Sequence, residues 1–454
     1  MPINSFLARF VIVILLLLIF AFLSRNLKIF ILAFIASRSF FAVFYNVRIF
    51  GGFNVLEFAG IFFPAVLLLH WMRNLKSKFT NSGATKVYFL VVFWVSISTL
   101  IYIVSHGFGG GRSLSSFIRI INGFSVFIVF PLIFSKKKDI ESLLNAFLVS
   151  TFFPLVQGLL QMLLKTDILG MGTSVSRGEQ ADYVMYYGLY HKYDGYAWAA
   201  LAGGLVLIYK LSISNKRPKR NIYFYQILFG FYLILSLITL SRTLIISMAI
   251  VIIFMVLAQK AKALRLVPIL LVFLIIGGGF FQSRVQQLIT RSEFELKVVR
   301  GDAAIEYGFH GRVSLWKDKL QEFNQLPFVN RLRGTDIRIG PHNDYVQWMF
   351  TYGYIGVALY ILLLLILFTN IFKNIMWARE KDVPYLCAYG LLAFAGIIIW
   401  IMEGIIHNVS QYLDYSYMII GNGAIFLALC RNYSENSAYK NSVYFIKNKI
   451  YSGA

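Results

Sequence analysis

Three basic residues of this 454-residue chain stand where their type and setting suit chemistry on an anionic substrate. Arg242 lies in Leu240-Ser241-Arg242-Thr243-Leu244, Arg312 in Gly311-Arg312-Val313-Ser314-Leu315-Trp316, and His342 in Pro341-His342-Asn343-Asp344-Tyr345. A guanidinium fork grips phosphate through two parallel hydrogen bonds. An imidazole titrates near neutrality and can take a proton from an attacking hydroxyl. Each has a plainer alternative: Arg242 snorkelling to lipid phosphate, Arg312 as an ordinary helix-end residue, His342 as a structural histidine. Asn343 and Asp344 either set the tautomer of that imidazole or cap the helix that follows. Glu403 and His407, one turn apart on a late helix, share a face and read as a structural pair or a substrate contact.

The elements that must hold these groups are membrane helices. Hydrophobic residues make up 58% and charged residues only 14% of the chain, which excludes a water-soluble fold. Runs of about 20 apolar residues suffice to cross a bilayer. Such runs fall near 7–23, 28–46, 53–72, 87–105, 115–134, 142–164, 194–213, 222–240, 243–258, 266–282, 344–372, 384–407 and 414–430, predicting twelve or thirteen spans. Unbroken runs exclude a transmembrane β-barrel, whose strands alternate over about ten residues. The expected fold is an all-α polytopic membrane protein, a single membrane domain over 1–454.

Lys and Arg cluster at 73–78, 136–138, 216–220, 260–265, 373–381 and along a tail over 432–454, and an even number of spans separates these clusters. They therefore share one side, the cytoplasmic one by the positive-inside rule. Much of the net charge of +23 is topology signal, so nucleic acid need not be invoked. The opposite side carries a medium loop at 165–193 and one long loop at 283–343. The long loop holds Arg284, Arg291, Arg300, Arg312, Arg331, Arg333 and Arg338 against the topological trend. Either these arginines meet an anionic substrate, or they pair with acids of the same loop such as Glu293, Asp302 and Asp318. Its apolar content predicts short amphipathic helices on the outer face, one over Ser314–Phe323 that Arg312 would open. The medium loop adds Arg177, Glu179, Asp182, His191 and Lys192 among tyrosines, a mixture that suits sugar contacts or an interfacial aromatic belt.

Two cysteines, Cys387 and Cys430, exclude a disulfide framework and have no ligand spacing for zinc. A Walker A loop, an HExxH motif and a dinucleotide fingerprint are all missing, as is a close acidic pair in the first outward loop. What remains is a metal-independent reaction on a diphosphate-linked donor.

Taken together, Gly311-Arg312, Trp316, Pro327, Pro341-His342-Asn343 and, nine residues on, Gly353-Tyr354-Ile355-Gly356 resemble the signature of the O-antigen ligase and O-antigen polymerase superfamily. The Ser241-Arg242-Thr243 reversal resembles the upstream arginine motif of that family, and the resemblance is strongest from about 222 to 370. It implies a glycosyltransferase of the GT-C type in the bacterial cytoplasmic membrane, with its site facing the periplasm or exterior. Its donor would be an undecaprenyl-diphosphate-linked oligosaccharide, and its acceptor another carrier-linked glycan or a lipid A core. By that analogy His342 is the catalytic base, Arg242 and Arg312 hold the diphosphate, and no cofactor or metal takes part. Asn343, Arg177, Lys192, Arg291 and Trp316 complete the expected substrate contacts. Chain-length regulator and flippase proteins are the expected protein partners. Base rates favour a polymerase over a ligase, because surface-polysaccharide polymerases are the more numerous and divergent group. The competing classes are a lipid-linked sugar transporter, disfavoured by the lack of an internal repeat, and a non-catalytic scaffold.

Overall fold

The computed structural model describes residues 26–43, 55–73, 82–106, 111–164, 194–213, 219–239, 241–259, 308–335, 342–407, 410 and 413–435, with scattered positions between 282 and 304. Among the described residues there is no strand. The helices are α1 (Leu27–Val43), α2 (Val55–Arg73), α3 (Gly83–His106), α4 (Gly111–Ile133), α5 (Lys137–Leu164), α6 (Asp194–Ser212), α7 (Lys219–Ile238), α8 (Arg242–Gln259), α9 (Gly308–Gln325), α10 (Phe328–Arg333), α11 (Asp344–Glu380) and α12 (Pro384–Ile406). A last segment, α13 (Leu413–Glu435), contains a π-helical turn at Ser416–Ile420.

Six of these segments are long and apolar enough to cross a bilayer, namely those of α3, α4, α5, α11, α12 and α13, and shorter apolar helices lie at Tyr196–Ser212, Asn221–Leu237 and Thr243–Leu257. The chain is an all-α multi-pass membrane protein. The expected spans at 7–23 and 266–282, the loop at 165–193 with Arg177 and Lys192, Arg291, and the tail beyond 435 lie outside the described residues.

Helix α6 forms the centre. Tyr196 to Leu211 are buried throughout, and α6 packs against α5, α7, α8 and α12. Its Ala199, Ala200, Ala202, Gly203 and Gly204 explain why: small residues let helix backbones approach closely where lipid supplies no hydrophobic drive for association. At Gly203 an added Cβ would strike the ring of Tyr232 on α7. Polar bonds fasten the outer helices to this frame. Tyr417 Oη donates to Asn122 Oδ1 at 3.0 Å, and Asn122 Nδ2 donates to the Gly60 carbonyl at 2.6 Å, joining α13, α4 and α2. Lys28 and Asp139 pair at the starts of α1 and α5, and Arg38 Nε meets Asp414 Oδ1 at 2.6 Å farther along α1. A charge pair so little exposed is held by mutual attraction in place of lost water, and removing one partner strands the other.

Helix α11 is bent. Gly353 leaves helical geometry at φ 71°, ψ −173°, a region that only glycine visits readily. The bend folds residues 344–352 back so that Asp344 and Tyr360, sixteen positions apart, are hydrogen-bonded at 2.8 Å. Trp348 stacks on Tyr360 with ring centroids 4.4 Å apart and planes 2° from parallel. The short α10 packs into the elbow, with Thr335 N donating to Phe350 O at 2.6 Å. On the other side Trp94 Nε1 donates to the Tyr352 carbonyl, which the bend has freed, at 2.8 Å.

Any Cβ at Gly353 would overlap the backbone carbonyl of Leu332. Gly353→Ala is therefore expected to destabilise the protein by about 2 kcal/mol or more. Gly83→Ala, with open space around it, is expected to leave it unchanged. Apparent melting temperatures of the two purified variants in detergent check this.

Candidate functional site

The site is assembled around the end of one helix. An α-helix leaves its last carbonyls unsatisfied, and they carry the negative pole of its dipole. At the C-terminus of α12 those carbonyls are taken up by groups from elsewhere. Asn343 Nδ2 donates to Ile405 O at 2.8 Å and Arg312 Nη1 to Ile406 O at 2.7 Å, while Tyr345 Oη adds a bond to Ile401 O, one turn earlier in the helix, at 2.9 Å. His407 closes the helix through its own backbone N–H, which donates to Glu403 O at 2.7 Å. A cation at a helix C-terminus is favourable, and a hydrogen bond from a charged donor contributes about 1.5–3 kcal/mol. Arg312 is thereby fixed in place.

The helix carrying Arg312 begins earlier than Ser314. Helix α9 opens at Gly308, so Arg312 falls in its second turn and does not open it. Four residues on, Trp316 stands on the same face. The far end of α9 is anchored by Phe323, buried against Val346 and Phe350 at the start of α11. Thus a helix covers the predicted stretch, and its Phe323 meets the elbow of α11.

His342 is exposed and has φ 51°, a left-handed conformation uncommon outside glycine. Such strain persists only where the surroundings enforce it, and it gathers at functional sites. Here the enforcement comes from the two residues that follow. Asn343 is buried; its Oδ1 accepts from Val346 N at 3.0 Å, capping α11, while its Nδ2 is bound to α12. Asp344 accepts from Ser410 N at 2.8 Å, Ser410 Oγ at 2.7 Å and Tyr360 Oη at 2.8 Å. Trp348 Nε1 donates to Ser410 Oγ at 3.0 Å and Trp400 Nε1 to Tyr360 Oη at 2.7 Å, completing the support. Of the two roles open to Asn343, its side chain performs the helix cap.

Arg242 is the first residue of α8, and its side chain lies outside the described residues. The turn that carries it is well defined. Ser241 accepts from Leu244 N at 3.4 Å in the N-cap manner, and its Oγ lies 3.0 Å from Thr243 Oγ1. Thr243 Oγ1 lies 3.0 Å from His407 Nε2, and one turn on Ser247 Oγ donates to Glu403 Oε1 at 2.6 Å. The start of α8 therefore rests on the end of α12, with helix dipoles meeting positive end to negative. Glu403 and His407, expected to pair, each face a hydroxyl of α8.

His407 is held neutral. Burial, then the charges of Arg312 and of His342, bring its pKa down from 6.5 to about 4. One imidazole thus feels two of the three basic groups singled out from sequence, and three distant segments meet at the end of α12. The sequence contains no signal for this meeting, because Thr243 and His407 are 164 positions apart and no spacing rule links them.

The fold and this site define a multi-pass membrane protein with a cation-rich, imidazole-bearing cluster at one end of its helix bundle. Compared with models of known families, residues 227–361 match the family described as O-Antigen ligase. The match runs from α7 into α11 and takes in Arg242, Arg312, His342 and the Gly353 elbow. No curated protein matches the chain. The match supports an O-antigen ligase- or polymerase-type function.

A depressed histidine pKa carries a stability signature. Between about pH 6.5 and 4 the unfolded chain binds a proton at His407 that the folded chain does not, so stability contributed by this group is lost as pH falls through that window. The melting temperature of the wild type should fall across the window more steeply than that of His407→Gln. Parallel curves would show that His407 is not the group responsible.

Proposed function

We propose that the protein is a membrane glycosyltransferase that takes an oligosaccharide from an undecaprenyl-diphosphate carrier and joins it to a second carrier-linked unit, lengthening a surface polysaccharide. The observation that carries this reading is the placement of exposed, strained His342 beside Arg312 and His407 at the end of α12, within the stretch matched to the O-antigen ligase family and its helical surroundings. We place this end of the bundle at the outer face of the cytoplasmic membrane of a bacterium. The basic clusters at Lys136–Lys138 and Lys373–Lys381 lie at the other end, as the positive-inside rule requires.

In the proposed reaction an acceptor hydroxyl attacks the anomeric carbon of the donor glycan. The hydroxyl proton passes to His342, and the bond between the anomeric carbon and the diphosphate oxygen breaks with its electron pair going to the diphosphate. Arg242 and Arg312 bind that leaving group, whose charge they stabilise most where water is excluded. In this reading Trp316, one turn from Arg312, contacts the glycan, with Arg177, Lys192 and Arg291 as further contacts. Asn343 acts through its cap on α11, which aims His342. The chemistry requires no divalent ion or cofactor. The description of the matched family favours a second reading for the acceptor, a lipid A core, which would make the protein a ligase with the same donor half-reaction.

Purified protein reconstituted with undecaprenyl-diphosphate-linked repeat unit alone, in chelator, should yield a ladder of products and free carrier diphosphate. Transfer only after lipid A core is added would establish the ligase. Neither product with a native donor would favour transport. His342→Ala is expected to lose activity by about 10²–10⁴-fold, the range for removing a general base. Arg242→Ala and Arg312→Ala should abolish transfer while the proteins still insert and elute as folded particles. Normal polysaccharide length in all three would overturn the assignment.

A further inference from the structure

The family match ends at residue 361, yet the helix end that organises the site belongs to α12, beyond it. His407 is the residue of that helix end whose imidazole reaches across to the turn that opens α8. Its Nε2 is 3.0 Å from Thr243 Oγ1, which is 3.0 Å from Ser241 Oγ, the cap of the turn bearing Arg242. The residue before it, Ile406, holds Arg312 by its carbonyl at 2.7 Å. Two consecutive residues therefore fix the two arginine-bearing segments, one through a side chain and the other through the backbone. Among the described residues the charged and titratable neighbours are Arg312 from α9, His342 from the turn before α11 and Glu403 from α12 itself. Among the described residues of α8, hydroxyls meet this helix end, Thr243 at His407 and Ser247 at Glu403.

We infer that His407 is a positioning residue, tying the Ser241–Thr243 turn to the end of α12 so that the turn carrying Arg242 and the helix carrying Arg312 are held at one diphosphate site. The inference rests on the reading proposed above for the donor. A neutral imidazole suits this role because it forms a directed hydrogen bond to Thr243 and adds no third charge that would hold the two arginine segments apart. The role is distinct from proton transfer, which His342 supplies.

The test uses the full chain in nanodiscs and the variants His407→Ala, His407→Gln, Thr243→Ala and the double variant His407→Ala with Thr243→Ala. Glutamine places an amide where Nε2 stood and keeps the bond to Thr243. His407→Ala and Thr243→Ala should each raise the donor KM by about tenfold with kcat within about threefold, the pattern of lost binding with intact chemistry. The double variant should be no worse than His407→Ala, His407→Gln should recover most of the loss, and the pH–rate limbs should stay where they are in the wild type. If His407→Gln fails as badly as His407→Ala and an acid limb disappears, His407 transfers protons and the inference is overturned. Additive effects of the two alanine substitutions would overturn it as well.

Two further readouts separate this inference from the proposed reaction. Binding of undecaprenyl diphosphate alone should weaken about tenfold in both single variants even if no transfer is ever seen. Wild-type affinity in both would overturn positioning. A double-mutant cycle on melting temperature needs no ligand; coupling between residues 407 and 243 supports the tie, and strict additivity overturns it.

Discussion

Much of this molecule depends on how one helix ends. The final carbonyls of α12 need donors, and in a membrane protein they cannot all rely on water. Asn343 and Arg312 supply donors there, Tyr345 adds a bond to Ile401 one turn earlier, and all three come from the polypeptide between 308 and 345. Satisfying a backbone requirement thus docks the loop helix α9 and the start of α11 onto the bundle. The same contacts aim Arg312 and cap the helix that presents His342, so stability and site geometry share their hydrogen bonds.

The elbow at Gly353 is the second constraint. A straight α11 would carry Asp344 far from Tyr360, since sixteen residues of helix span about 24 Å. Bending the helix brings the two within hydrogen-bond distance and stacks Trp348 on Tyr360. The carbonyl groups freed by the bend are taken up by Trp94 and by the chain after α10, which satisfies the backbone and locks the angle. His342 stands just before this folded-back segment, and its left-handed backbone is the strained joint between the segment and the outer loop.

Around these two features the bundle acts as a rigid frame. Close approach along the Ala- and Gly-rich α6 and the buried pairing of Arg38 with Asp414 fix helix positions without a hydrophobic drive. A frame of this kind can keep the cluster at the end of α12 preorganised for the reaction proposed above. Preorganised charge is what stabilises a leaving diphosphate most effectively.

By itself the sequence determined the class of fold. Long apolar runs announce membrane-spanning helices, because bilayer thickness and backbone hydrogen bonding leave helices no alternative. It also marked His342, Arg312 and Arg242, through residue type and through the spacing of His342-Asn343 to Gly353 and Gly356. Tertiary structure decided what these residues touch. The carboxylate of Glu403 meets Ser247 and the imidazole of His407 meets Thr243, although their spacing suggested a pair within one helix. Helix α9 begins at Gly308, before the polar-apolar pattern that announced it at Ser314, because packing of Phe323 and the bond from Arg312 to α12 outweigh the poor helix propensity of Gly308 and Gly311. Such contacts join positions up to 164 residues apart. Local pattern carries no information about them, since they follow from which helix ends the bundle brings together.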